Sequence, residues 1–154
     1  MLATARTLAS ARYATLVTRV SIQAPHIHFI ARVGEGWVEA VERGDFETSQ
    51  TLEIVAKAVA PLLAEGCDTL VLGCTHYPFL SAAIQSAAPQ ATIIDTAPAI
   101  ARELKRRITS ESALNDASTT GSLRITTTGD KVHVAKVVEA MLQVDVAAAY
   151  LEVS

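Results

Sequence analysis

Short apolar runs alternate with longer stretches of helical period along this chain, and that alternation narrows its fold more than any other feature. Ile27 to Ala31, Asp68 to Cys74, Ala91 to Asp95 and Leu123 to Thr127 read as strands. Helical patterns cover Thr7 to Val20, Trp37 to Glu42, Thr48 to Ala64 with a stop near Gly66, Pro78 to Ala87, Ala97 to Arg107, and Lys131 to Leu142. Strands separated by helices pair in parallel, so the expected class is α/β with a parallel sheet. Thr109 to Ser122 is a polar loop, within which Ser110 to Thr120 reads as a flexible linker. No internal repeat of solenoid period is present.

Composition excludes several classes. The chain has 154 residues, half of them hydrophobic, and a net charge of −3. This length suits about one domain. Mild acidity leaves no electrostatic footprint for nucleic acid, and no apolar run is long enough to span a bilayer. The expected setting is cytoplasmic. Two cysteines do not make a disulfide framework, and no clustered His/Cys spacing implies a metal. At roughly 3.3 Å per residue, Cys67 and Cys74 sit about 20 Å apart at opposite ends of one strand, whereas a disulfide needs Cα atoms within about 7 Å. Cys67 is read as a small buried residue.

Cys74 is different because of its neighbours. Leu70-Val71-Leu72-Gly73-Cys74-Thr75-His76-Tyr77-Pro78 carries a thiol off the end of an apolar strand and into the start of a helix, with Pro78 suited to the first turn. Ligands of open parallel sheets bind beyond the carboxyl ends of strands, where helix starts offer unpaired N–H groups to anions. Near the amino end, Arg6, Arg12, Arg19 and Arg32 occur without any acid in the first 34 residues, a composition shared with mitochondrial transit peptides. The same stretch places Leu8, Tyr13, Leu16, Val17 and Val20 at amphipathic helical spacing, as the first helix of a lobe would.

The nine residues from Leu70 to Pro78 resemble the second cysteine motif of the glutamate racemases, within the aspartate/glutamate racemase superfamily. Leu2-Ala3-Thr4-Ala5-Arg6-Thr7-Leu8-Ala9-Ser10 is similar to that family's LATxxTvxS segment, Ile94-Asp95-Thr96-Ala97 to its IDSA, and Thr127-Thr128-Gly129-Asp130 to its TTGD. The four motifs stand in the family's order. Members are longer and carry an earlier half, with an Asp-Ser glycine-rich loop and a first cysteine in a CNTA-like motif, neither of which is in this sequence. The resemblance favours the lobe-helix reading of the amino end.

The resemblance implies a fold of two α/β lobes facing each other across the substrate. Residues 1–97 would form the second lobe, less its opening strand, and residues 98–154 would return to complete the first. On that view Val132, Val134, Val137, Val138, Met141 and Leu142 lack their partner sheet. Burying each is worth about 1.5–3 kcal/mol, so such a face favours self-association, repacking or fraying. The resemblance also implies a homodimer.

The implied activity is interconversion of L- and D-glutamate without a cofactor, which supplies D-glutamate for bacterial peptidoglycan. One thiol takes the α-proton from one face and a second returns a proton to the other. A cysteine suits this work, because its pKa of about 8.5 lies within reach of neutral pH. By position Cys74 matches the family's base for the L enantiomer, His76 the histidine beside the thiol, and Thr75 a contact to the substrate carboxylate. Thr4 and Thr7, also readable as a helix cap, match threonines of the substrate pocket. Glu42 falls on an auxiliary acidic residue when Val38 to Gly44 is laid on the family's LVPLVEEG-like segment, although Gly34-Glu35-Gly36 departs from the family pattern just before it. Two other readings stand beside this one: an aspartate racemase or other superfamily member, and a non-catalytic remnant or carboxylate-binding lobe that needs a partner chain. A histidine at position 76 favours glutamate.

Overall fold

In the computed structural model, residues 1–114, 124–142 and 150–153 are described. They divide into two compact units, the first comprising Met1–Val41 with Asp45–Pro98, the second Glu42–Gly44 with Ala99–Ser154.

The first unit is built on a parallel sheet of four strands: β1 (Leu2–Ala3), β2 (Arg32–Val33), β3 (Thr69–Leu72) and β4 (Thr92–Asp95), in the order β2-β1-β3-β4. Its register runs Leu2 to Arg32, Leu2 to Leu72, and Leu72 to Asp95. Within β3, Leu70 and Leu72 are fully buried while Thr69 and Val71 are half-buried, as the period-two alternation of a strand requires.

Three helices contribute buried residues to the core. In α4 (Ser49–Ala64), Thr51, Val55, Val59 and Leu62 recur every three or four residues and form the buried stripe. Thr48 caps this helix by accepting from the Thr51 N–H at 3.2 Å, and the buried Thr51 hydroxyl donates to the Asp45 carbonyl at 2.6 Å. Gly66, at φ +81°, ends it in the left-handed conformation while Cys67 N–H reaches back to the Leu62 carbonyl. The shorter α5 (Ser81–Ala87) buries Ala83 and Ile84, and α3 (Trp37–Arg43) buries Trp37, Ala40 and Val41. At about 1.5–3 kcal/mol for each large apolar side chain, this core is the main stabilising element of the unit.

Three expectations are corrected here. The helix expected over Thr7 to Val20 is two, α1 (Ala5–Leu8) and α2 (Ala11–Gln23), because Ser10 turns out of the helix and caps the second by accepting from Tyr13 N–H at 3.2 Å. The strand expected at Ile27 to Ala31 lies instead at Arg32–Val33, where Arg32 N–H donates to the Met1 carbonyl at 2.9 Å. Finally, Cys67 is half-buried, its thiol 3.2 Å from the Thr69 carbonyl; both cysteines are free. No residue of α2 is fully buried, with Leu16 and Ile22 exposed and Tyr13 resting 6.3 Å from the Phe29 ring.

The second unit holds α6 (Ala97–Ser110, its first two residues in the first unit), α7 (Lys131–Leu142) and a parallel pair, β5 (Arg124–Thr127) with β6 (Tyr150–Val153). On α6, hydrogen bonds from Arg106 and Arg107 hold the Glu103 carboxyl down to about 2. Asp130 caps α7 by accepting from His133 N–H at 2.7 Å. Of the apolar α7 side chains, Val137 is buried, Val134, Val138 and Met141 are half-buried, and Val132 and Leu142 are exposed. The loop expected at Thr109 to Ser122 and the linker expected at Ser110 to Thr120 start too early, because α6 continues through Thr109 and Ser110; residues 115–122, with Leu123, lie outside the described residues. Among the described residues no helix is long and apolar enough to cross a membrane.

Candidate active site

Parallel strands deliver their carboxyl ends to one edge, and the first unit gathers its chemistry there. Leu2 and Leu72 are register partners, so Thr4 and Cys74 each lie two residues beyond the pair, on adjacent strands spaced about 4.8 Å apart. Gly73 N–H, donating to the Leu2 carbonyl at 2.8 Å, continues the pairing one residue past β3 and fixes where Cys74 leaves the sheet.

The turn after β3 is local and tight. Tyr77 N–H reaches the Cys74 carbonyl at 3.3 Å, and Phe79 N–H the His76 carbonyl at 3.1 Å. This brings the Cys74 sulfur to 3.9 Å from His76 Nδ1, with the Thr75 hydroxyl 3.5 Å from the same nitrogen. Cys74 and His76 are half-buried, whereas Thr75 is exposed. A thiol beside an imidazole nitrogen is an arrangement that can pass a proton between sulfur, ring and substrate. The helix expected from Pro78 begins as a 3-10 turn (Tyr77–Leu80), with Pro78 in its first positions, and becomes α-helical only at Ser81. The macrodipole available to Thr75 is correspondingly small.

Thr4 and Thr7 occupy the neighbouring β1 turn. Thr4 caps α1, accepting from Thr7 N–H at 3.3 Å, and the two hydroxyls lie 3.0 Å apart. They share the wall of an open cleft of about 450 Å³ with Arg6, Ser10, Tyr13 and Leu16. From the sequence Arg6 is noted for the basic composition of the amino end and within the Leu2 to Ser10 segment, not as a site residue, since nothing there distinguishes it from an exposed helix arginine.

Thus Cys74, Thr75, His76, Thr4 and Thr7 all belong to the first unit. Glu42 is exposed and belongs to the second, where its carbonyl accepts from His133 Nε2 at 2.9 Å. Asp95, at the same sheet edge in register with Leu72, is engaged in accepting from Ala97 N–H at 2.9 Å.

Sequence reasoning also passed over Tyr77 as more than a motif letter. It is fully buried, 4.7 Å from Trp37 between ring centroids, and burial pushes its phenol up to about 12, with the Gly34 hydrogen bond opposing and the charges of Cys74 and Glu39 adding. Between pH 10 and 12 the unfolded chain therefore releases this proton while the folded chain keeps it, so fewer protons are bound when unfolded and stability falls as pH rises. The contribution is full below pH 10, and about 2 kcal/mol is lost by pH 12. Urea midpoints taken across this window should drop for the parent chain and stay flatter for Tyr77→Phe. Equal slopes would contradict the assignment.

The Asp/Glu/Hydantoin racemase family model matches residues 1–104. A glutamate racemase of Herpetosiphon aurantiacus is 38% identical over 138 residues, 89% of this chain and 53% of that protein. One from Methylococcus capsulatus is 44% identical over 115 residues, 74% of this chain and 41% of its own length. Among solved structures, glutamate racemase from Francisella tularensis in complex with D-glutamate superposes with a TM-score of 0.81 at 20% identity, covering 99% of this chain and 56% of that one. A glutamate racemase isoform from Bacillus anthracis gives a TM-score of 0.72 at 25% identity, over 93% and 52%. The chain spans about half the length of the relatives it matches. With the thiol turn, the threonine turn and the parallel sheet that joins them, the family match establishes that this chain belongs to the Asp/Glu/Hydantoin racemase family.

Proposed function

We propose that this chain is the Cys74-bearing portion of a cofactor-independent glutamate racemase of the cytoplasm, which supplies D-glutamate for peptidoglycan. The observation that carries the reading is the Cys74 sulfur standing 3.9 Å from His76 Nδ1 at the sheet edge that also carries Thr4 and Thr7. Relatives named glutamate racemase support it. In this reading residues 1–97 form one lobe and residues 98–154 contribute to another.

The chemistry follows from the residues. Cys74, as thiolate, takes the α-proton of L-glutamate, and the electron pair left on carbon delocalises into the carboxylate. Thr75, Thr4 and Thr7 hold that carboxylate through N–H and hydroxyl donors, which interact more strongly as its charge grows. A thiol on the opposite face, supplied by the rest of the enzyme, delivers a proton to give D-glutamate. In the reverse direction Cys74 is the acid. His76 assists transfer at the sulfur, Glu42 acts as an auxiliary acid, and the working enzyme is a homodimer.

The half-length match favours a second reading, a carboxylate-binding lobe that works only with a partner chain. Substrate protection tests the shared premise. L-Glutamate should slow iodoacetamide alkylation of Cys74 and leave Cys67 unchanged. Protection by L-aspartate instead would move the assignment to an aspartate racemase, and protection by neither would end the carboxylate-site reading.

A further inference from the structure

We propose that Tyr77 is a positioning residue for the Cys74 turn, and that it acts by locking onto the backbone of Gly34 across the intervening strand β1. The functional consequence rests on the reading of Cys74 as the reacting thiol.

Gly34 directly follows β2, and Tyr77 lies in the turn after β3, so β1 and its Thr4 turn lie between their strands. Strands two apart are separated by about 10 Å, a span that a tyrosine side chain and a close-set backbone can bridge. The phenol hydroxyl accepts from Gly34 N–H at 3.2 Å and donates to the Gly34 carbonyl at 3.3 Å. Both bonds go to one buried residue, so they fix direction as well as distance. An apolar side chain of similar size would fill the space without this constraint.

The receiving side is shaped to match. A Cβ on Gly34 would stand 2.6 Å from Trp37 Cδ2 and 2.8 Å from the Tyr77 hydroxyl oxygen. Gly34 is required here for close approach, because only a residue without a side chain lets Trp37 and the phenol meet its backbone. At the other end, Tyr77 N–H donates to the Cys74 carbonyl, which ties the anchored residue to the thiol residue itself. The result is a brace from the end of β2 to the end of β3, with the two site turns held by the same edge.

Cys67 supplies an internal reference, since it belongs to the same unit but lies at the opposite end of β3. In the 154-residue chain, Gly34→Ala and Tyr77→Phe should raise the rate of Cys74 alkylation relative to Cys67. The expected rise is at least about fivefold for Tyr77→Phe, the worth of one hydrogen bond where both are lost, and larger for Gly34→Ala, which displaces the ring. Trp37→Phe trims the core yet leaves both hydroxyl bonds, so it should leave the ratio unchanged. Three results would overturn the proposal: an unchanged ratio in both brace variants, Cys67 rising in step with Cys74, or Trp37→Phe moving the ratio as far as Gly34→Ala. Because no substrate is present, failure of glutamate to protect Cys74 would refute the racemase reading while leaving the brace standing, and the converse also holds.

Discussion

Replacing Cys74 with alanine is expected to lower the exchange of the L-glutamate α-proton by at least about 10²-fold, the usual scale for loss of a positioned acid–base group. The expected effect is local. Cys74 is half-buried at a strand end, so removing one sulfur atom leaves a small gap open to solvent rather than a sealed core cavity. The lost rate therefore reads as lost chemistry, with the denaturation midpoint nearly unchanged. Cys67→Ala is the matched control, because that thiol sits 3.2 Å from the Thr69 carbonyl at the opposite end of β3 and should leave exchange intact. Solvent deuterium incorporation followed by NMR makes the comparison, and exchange surviving in Cys74→Ala would assign the proton transfer elsewhere.

The largest structural effect is expected at Trp37. Its ring is fully buried, packs on Tyr77, presses on Gly34, and donates through Nε1 to the Ile54 carbonyl at 3.4 Å. Trp37→Ala should cost about 3–5 kcal/mol, through lost apolar burial and the cavity left behind. Domains of this size are stable by about 5–15 kcal/mol in total, so the variant should populate unfolded molecules at room temperature. Urea titration by far-UV circular dichroism measures the change, since the chain's single tryptophan is the residue removed. A loss under about 1 kcal/mol would mean that the ring is not a core element.

What the sequence disclosed depended on how local each feature is. Thr69–Leu72 and Ser49–Ala64 fall within the expected strand and helix because alternation and a capped apolar stripe are properties of consecutive residues. The strand expected at Ile27 to Ala31 was misplaced because its position is set by pairing with β1, a contact of residues some thirty positions apart in sequence. Over Thr7 to Val20, period alone suggested one helix, and Ser10 as a cap divides it. β6 has no counterpart among the expected elements, the last of which ends at Leu142.

The site divides in the same way. Cys74, Thr75 and His76 are contiguous, so a turn suffices to bring them together. Thr4 and Thr7 joined them through the register of Leu2 with Leu72, which apolar pattern alone does not specify. The Tyr77–Gly34 brace, 43 residues apart, left no mark beyond a glycine before a tryptophan.

The role of Cys74 is tested most directly by which enantiomer of glutamate loses its α-proton. With purified chain in D₂O, deuterium should enter L-glutamate and not D-glutamate on the proposed reading, in which Cys74 serves one face of the α-carbon. Exchange of D-glutamate alone, or of neither enantiomer, would contradict the role given to Cys74.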